Sequence, residues 1–172
     1  MRTLRVAVVA FVCCAGLLAA SSSWTAARIR ASSAPGWLLL EGGGNFAGTD
    51  IAKRFVALAG GPNRTFVVIS TAISDTEVTA NRRARCASRS AQILQVAQVT
   101  CLDAKDRTEA NSAAIIDVLR KADGVWIYGG DEERLVDRYV GTAVVEALRA
   151  VLDRGGVVGG TSAGAMILAS YV

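Results

Sequence analysis

The sequence of 172 residues contains no histidine, so it holds no imidazole that could act as a general base. It also lacks internal repeats and low-complexity tracts. Of its 19 Lys and Arg residues, two precede residue 28, which leaves 17 against 15 Asp and Glu. A net charge this close to zero gives little support for a nucleic-acid partner or a membrane-surface partner.

The hydrophobic residues are concentrated at the amino terminus. Arg2 and Arg5 precede an apolar run from Val6 to Ala20, and small and polar residues follow up to Ala27. This order is typical of a secretory signal peptide, and the run is short for a transmembrane helix, which needs about 20 apolar residues. We therefore expect residues 1–27 to be a signal peptide, with a retained signal anchor as the alternative.

The sequence from Ala31 to Gly36 is small and polar and ends in Pro35-Gly36, which indicates a linker over residues 28–36. The folded domain is then expected to cover residues 37–172. Removal of a signal peptide would make this domain a secreted or periplasmic protein without contact to the membrane.

Two of the four cysteines lie within the predicted signal peptide. Cys86 and Cys101 remain, and they could form a disulfide in an oxidising compartment. The alternative is that both are small buried residues, and their spacing does not decide between the two.

Short apolar segments alternate with segments of helical periodicity along the predicted domain. The expected strands are Trp37–Glu41, Thr65–Ser70, Val96–Leu102, Gly124–Tyr128 and Gly156–Gly160; the expected helices are 49–58, 79–94, 108–121 with Thr108 as N-cap, 131–154 with a break near Gly141, and 163–169. This alternation predicts an α/β fold with a parallel sheet and helices on both faces. In such a fold the carboxyl ends of the strands form the site.

The pentapeptide from Gly160 to Gly164 follows the last predicted strand and precedes a helix. A serine on such a strand-to-helix turn presents its hydroxyl outward, and small residues on either side avoid collisions with the neighbouring strand and helix. Ser162 is therefore the candidate nucleophile. The amide of Ala163 is expected to point at a developing oxyanion, and Thr161 to contact the substrate. The alternative is a glycine-rich turn without chemistry.

A second glycine pair, Gly129-Gly130, ends the fourth predicted strand and precedes Asp131 and Glu132. We expect a second oxyanion amide from Gly130 or Asp131, and we expect Glu132 to face the substrate. The alternative is a helix start whose acidic residues favour the helix dipole.

The loop from Gly42 to Gly48 matches a loose dinucleotide fingerprint. The acidic residue expected at the end of the second strand is missing, because that strand ends Ile69-Ser70-Thr71-Ala72. Gly43 and Gly44 are therefore expected to line a substrate crevice, and no cofactor or metal is predicted.

Taken together, LLLEGGGNF, IYGGDEERL and GGVVGGTSAGAMILA resemble peptidase family S51, the cyanophycinase and peptidase E group, over roughly residues 37–172. The resemblance implies a three-layer fold of the class I glutamine-amidotransferase-like type with flavodoxin-like winding. It also implies a secreted serine-type peptidase that hydrolyses a peptide or β-aspartyl isopeptide bond. The substrate would carry Asp or Arg, and a homodimer is left open.

Carried over to this sequence, the family pattern makes Ser162 the nucleophile, with Ala163 and Gly130 or Asp131 lining the oxyanion hole. Glu132 stands where cyanophycinase-type members have Gln, and a carboxylate accepts hydrogen bonds without donating them. Such a carboxylate suits a cationic group, such as an arginine side chain of the substrate.

The family's base histidine lies downstream of the serine, whereas this sequence stops ten residues after Ser162. We therefore expect these 172 residues to be the amino-terminal part of a longer enzyme, incomplete at the carboxyl end of the fold and with little hydrolytic activity alone. The alternatives are a non-catalytic binding domain of the same fold and, less favoured, a dinucleotide-binding α/β protein.

Overall fold

The structure, a computed structural model, describes residues 36–44, 46–73 and 79–171. The predicted signal peptide and nearly all of the predicted linker lie outside these residues. Strands are β1 (Trp37–Glu41), β2 (Phe66–Ile69), β3 (Val99–Leu102), β4 (Gly124–Ile127) and β5 (Val157–Thr161). Helices are α1 (Asp50–Leu58), α2 (Ala80–Leu94), α3 (Arg107–Ala110), α4 (Ala113–Lys121), α5 (Glu132–Tyr139), α6 (Ala143–Asp153) and α7 (Ala163–Tyr171), and a 3₁₀ turn spans Thr71–Ile73.

The five strands form one parallel sheet in the order β1-β5-β4-β2-β3. The first strand therefore lies beside the last one, with Glu41 paired to Thr161. The segment β3-β2-β4-β5 has the same relative order as the first four strands of a flavodoxin-like sheet. This confirms the predicted α/β fold with a parallel sheet.

Helices cover the sheet on both faces, so the predicted three layers are confirmed. One face packs on α1 and α2 through a cluster centred on Phe55, Phe66 and Trp126. The other face packs on α4, α5, α6 and α7 through aliphatic residues such as Leu119 and Leu135. Strands β2 and β4 are buried along their whole length, as expected for strands covered on both sides.

Several predicted helix boundaries hold to within one residue because side-chain caps set them. The Thr49 and Thr79 hydroxyls accept the amides of the third residue on and cap α1 and α2. The predicted break near Gly141 separates α5 from α6, and this glycine adopts a φ of 71°.

The single helix expected over 108–121 is wrong, because two helices occupy this segment. Asp106, rather than Thr108, caps α3 by accepting the amide of Glu109, and α4 begins after Ser112. The Asn111 side chain between them accepts the backbone amide of Ala143 at 2.9 Å. That tertiary hydrogen bond holds the interruption in place.

Cys86 and Cys101 form a disulfide that joins α2 to β3, so the alternative of two unpaired buried cysteines is wrong. The Cα atoms lie 6.0 Å apart, within the usual range. Within the described residues, none of the helices combines the length and apolarity needed to cross a bilayer.

Candidate active site

Ser162 occupies a sharp turn between β5 and α7. Its backbone lies in the left-handed region at a φ of 52°, which a non-glycine residue rarely adopts, and its side chain is exposed. Its amide donates to the carbonyl of Glu41 at 2.9 Å, and its carbonyl accepts the amides of Ala165 and Met166. The turn is therefore anchored on both sides, and the hydroxyl is presented to solvent, as predicted for a nucleophile elbow.

The glycines on either side of Ser162 are required by close backbone contacts. A Cβ at Gly160 would lie 2.6 Å from the carbonyl of Gly164, and a Cβ at Gly164 would lie 2.2 Å from the carbonyl oxygen of Ile127. Real Cβ atoms do not approach so closely. Helix α7 can therefore start directly against β4 and β5 only when both positions lack side chains.

Gly129, the first residue of the glycine pair at the end of the fourth predicted strand, lies directly against the candidate nucleophile. A Cβ there would lie 2.7 Å from both the Ser162 Cβ and the Thr161 carbonyl, and 3.4 Å from the Ser162 Oγ. The end of β4 thus forms one wall around the serine hydroxyl. The only sequence signal for this contact was the position of the glycine at a strand end.

Two backbone amides near the elbow are available for an oxyanion. The amide of Ala163, the first residue of α7, and the amide of Gly130 make no hydrogen bond within the described residues. The Asp131 amide donates instead to the carbonyl of Ala72 at 2.9 Å. Of the two residues expected to supply the second amide, Gly130 is therefore the available one.

Asp131 acts as the N-cap of α5. Its carboxylate accepts the amide of Arg134 and forms an ion pair with the Arg134 guanidinium at 3.1 Å. Glu132 and Glu133 occupy the first turn, where negative charge is favourable. The helix-start interpretation of this segment therefore accounts for Asp131, while the half-buried Glu132 lies outside the cleft described next.

A cleft of about 370 Å³ opens beside the elbow, between the carboxyl end of the sheet and α2. Of the predicted site residues, Thr161 and Gly44 line it, and Gly43 is exposed in the adjoining loop. Phe46, buried in the loop after β1, stacks on Trp126 with ring centroids 4.1 Å apart, and so fixes this loop against the core. Further lining residues are Ala47, Ile73, Cys86, Arg89, Ser90, Ile93 and Tyr128.

Polar residues stand at the strand ends beside the cleft. Glu41 and Thr161 are directly paired, and Tyr128 follows Ile127, whose partner on β5 is Gly160. Tyr128 and Ser90 of α2 share a hydrogen bond between their hydroxyls at 3.3 Å. No local sequence pattern indicated a role for Tyr128 or Arg89, because only the packing of α2 against the strand ends brings them to the cleft.

Further along the same sheet edge, Asp103 is buried between two cations. Arg82 lies 3.1 Å and Arg138 3.9 Å from its carboxylate oxygens. Burial raises the pKa of Asp103 despite the opposing effect of Arg82. The hydroxyl of Tyr139 accepts the amide of Ala104 and bonds to Thr71, and burial raises its pKa as well. These contacts tie α2 and α5 to the end of β3.

The part of the chain that contains the turn at Ser162 and its flanking glycines also matches a known protein family. A model of peptidase family S51 matches residues 38–172. The chain belongs to peptidase family S51. This match covers every predicted site residue and all of the sheet except Trp37.

Similar proteins agree with this assignment. The chain is 28% identical over 126 residues to a cyanophycinase of Geminocystis herdmanii, an alignment that covers 73% of this chain and 45% of that protein. The chain thus spans less than half of the curated relative that it matches.

Two solved structures share the fold. A peptidase from an acI-B1 actinobacterium aligns with a TM-score of 0.67 and 23% identity, over 80% of this chain and 58% of its own. A putative peptidase E from Listeria monocytogenes aligns with a TM-score of 0.54 and 24% identity, over 78% of this chain and 62% of its own.

Within the described residues, no group of three or more acidic or cysteine side chains is arranged to hold a metal ion. What the site does contain is an exposed hydroxyl in a constrained turn, two available amides and an adjoining cleft. These are the parts that nucleophilic acyl transfer uses.

Proposed function

We propose that Ser162 is the nucleophile of a serine-type peptidase. The observation that supports this most is the left-handed turn that presents the Ser162 hydroxyl near the amides of Ala163 and Gly130. Neither amide makes a hydrogen bond within the part of the chain that the structure describes. Attack by the hydroxyl on a peptide carbonyl would place the oxyanion near these donors, and donors of this kind are worth a hundredfold or more in rate, roughly.

The base that would activate Ser162 is proposed to come from residues outside this sequence, because the sequence contains no histidine. A serine hydroxyl without a base is a weak nucleophile near neutral pH. The 172 residues by themselves are therefore expected to turn over substrate very slowly.

Reactivity of the 172-residue chain can be tested with a serine-directed fluorophosphonate and mass spectrometry. We expect labelling at Ser162 in preference to other serines. We also expect the rate to rise about tenfold per pH unit between pH 7 and 9, because hydroxide must remove the proton. Ser112, which precedes α4 and makes no side-chain capping bond, provides the matched control. Ser112→Ala should leave labelling unchanged, and Ser162→Ala should abolish it.

The bond cleaved is proposed to be a peptide or β-aspartyl isopeptide bond, supported by the similarity to a cyanophycinase. Release of arginine from β-aspartyl-arginine, measured on the protein as its gene encodes it, tests this step. Ser162→Ala should lower the rate at least about a thousandfold. Absence of any Ser162-dependent hydrolysis would favour a non-catalytic binding domain of the same fold.

We also propose that the protein is exported. The charged and apolar start of the sequence supports this, and so does the disulfide between Cys86 and Cys101, since disulfides persist mainly in oxidising compartments. Amino-terminal sequencing of protein from the culture medium or periplasm should show removal of about the first 27 residues. An intact amino terminus on cell-associated protein would contradict export.

A further inference from the structure

The 3₁₀ turn after β2, Thr71–Ile73, lies directly against the loop that contains Gly130. The carbonyl oxygen of Ala72, in the middle of this turn, accepts the amide of Asp131 at 2.9 Å. A Cβ at Gly130 would lie only 2.1 Å from the same oxygen. Because the two backbones touch without intervening side-chain atoms, a displacement of the 3₁₀ turn must also displace Gly130.

Two hydrogen bonds hold this loop, one on each side of Gly130. The amide of Tyr128 donates to the carbonyl of Ile69 at 3.0 Å, and the amide of Asp131 donates to Ala72. Between them lies the Gly130 amide, the proposed second oxyanion donor, which makes no hydrogen bond within the described residues. The first hydrogen bond ends on β2, whereas the second depends on the conformation of the 3₁₀ turn.

Two buried hydroxyls hold the 3₁₀ turn in place. Thr71 is fully buried, Tyr139 at the end of α5 is 4% exposed, and their hydroxyls share a hydrogen bond. The Tyr139 hydroxyl also accepts the amide of Ala104 at 3.2 Å, which leaves its single proton available to Thr71. The Arg134 guanidinium donates to the carbonyl of Thr71 at 3.5 Å. Helix α5 and the segment after β3 therefore both fix the turn.

Stability alone does not require a polar pair at this position. Replacement of both partners of a buried hydrogen bond by apolar groups of the same shape can be nearly neutral. A hydrogen bond is directional, however, whereas hydrophobic packing is not. The hydroxyl pair therefore suits a segment whose orientation matters more than its burial.

We propose that Thr71 and Tyr139 are positioning residues for the oxyanion hole. Their hydroxyl pair holds the 3₁₀ turn in the conformation that directs the Gly130 amide toward the carbonyl attacked by Ser162. Both side chains are buried, so they act through the backbone of Ala72. The proposal rests on the proposed peptidase function, because an oxyanion forms only if Ser162 attacks a carbonyl.

Amide hydrogen exchange of the 172-residue chain, followed by NMR, tests the structural step without any chemistry. In Thr71→Val, which keeps the shape of the side chain, the Asp131 amide should exchange at least about tenfold faster relative to the Val125 amide in β4. Thr71→Ser retains the hydroxyl and should restore the exchange of the wild type. Unchanged protection of Asp131 in Thr71→Val would overturn the proposal.

The kinetics of fluorophosphonate labelling at Ser162 test the chemical step. Thr71→Val should lower the labelling rate at saturating reagent at least about tenfold, because a donor displaced by about 1 Å loses much of its effect. The half-saturating concentration should change by less than about twofold, because the reagent still binds. Thr71→Ser should recover the rate. A wild-type rate in folded Thr71→Val would overturn the proposal.

Thr142→Val is the matched control for a lost buried hydroxyl. Thr142 is 5% exposed, and its hydroxyl donates to the backbone carbonyl of Tyr139 at 2.7 Å. This variant should leave both the exchange of Asp131 and the labelling rate unchanged, and an equal slowing of labelling would contradict a specific role of Thr71. If Thr71→Val does not fold, Tyr139→Phe removes the same hydrogen bond from the other side and should reproduce both effects.

The outcomes also separate the positioning role from the proposed peptidase function. Absence of labelling at Ser162 in the wild type would refute the nucleophile, and the exchange of the Asp131 amide would still decide whether the hydroxyl pair holds the loop. Labelling of the wild type at a rate that Thr71→Val and Tyr139→Phe both retain would refute the positioning role alone.

Discussion

Substitution of Gly164 by Ala is expected to destabilise the protein, although helix propensity alone predicts the opposite. Gly164 is the second residue of α7, and alanine is favoured over glycine in a helix by up to about 1 kcal/mol. The added Cβ, however, would lie 2.2 Å from the carbonyl oxygen of Ile127 and 2.8 Å from its carbonyl carbon. Both atoms belong to the backbone of a fully buried strand, so relief requires α7 to move away from β4.

The cost of that movement sets the size of the effect. Added methyl groups in a packed interior cost about 1–3 kcal/mol, and a backbone neighbour leaves little room to relax. After the gain from helix propensity, we expect the free energy of unfolding to fall by roughly 1–2 kcal/mol. Movement of α7 would also shift the elbow, so fluorophosphonate labelling of Ser162 should slow in the same variant.

Urea denaturation followed by circular dichroism measures the change. Gly42→Ala is the matched control, because a Cβ there meets nothing within 4 Å and its φ is not positive. Its unfolding free energy should change by less than about 0.5 kcal/mol. A Gly164→Ala variant that is as stable as the wild type, or more stable, would refute the packing argument at the elbow.

Three further changes probe the scaffold. Replacement of both Cys86 and Cys101 by alanine should lower the unfolding free energy by about 3 kcal/mol, since the disulfide closes a loop with a sequence separation of 15, and reductant should remove the difference from wild type. Although burial alone raises the pKa of Glu109, hydrogen bonds from the Lys105 amide and Arg83 hold it below its ordinary 4.5; its stabilisation is therefore present above pH 4.5 and is lost as the pH falls through the folded-state pKa. Glu109→Gln should accordingly cost about 1 kcal/mol at pH 7 and nothing at pH 2, and an equal cost at both pH values would contradict the linkage. Phe46→Ala should cost about 3 kcal/mol in thermal or urea unfolding through loss of its buried aromatic stacking, and an unchanged stability would show that the loop after β1 does not depend on it.

The sequence predicted the parts of the site that follow from local geometry. Ser162, its glycines and the amide of Ala163 lie within five residues, and a strand-turn-helix pattern indicates their arrangement. Strand order β1-β5 is a non-local property that no local pattern encodes. For that reason Glu41 carried no sequence signal, although it lies opposite Thr161.

The contrast between local patterns and non-local contacts also explains the wrong helix over 108–121 and the undecided pairing of Cys86 and Cys101. Helical periodicity across 108–121 is continuous, but Asn111 bonds to the distant amide of Ala143, and this contact cannot be inferred from periodicity. Likewise, the spacing of Cys86 and Cys101 is compatible with several arrangements. Only the packing of α2 on β3 brings their Cα atoms within disulfide range.

The hydrogen bond from the Ser162 amide to the Glu41 carbonyl has a consequence for folding. The two residues are more than a hundred positions apart, so the elbow depends on one of the longest-range contacts in the described chain. Contacts of this kind form late, because the entropy of closing a long loop must be offset first. During synthesis β1 leaves the ribosome long before β5, so β1 stays unpaired with β5 until β5 has been made. Ser162, the proposed nucleophile, thus acquires its constrained geometry only when the first and last strands pair, after the rest of the sheet has been synthesised.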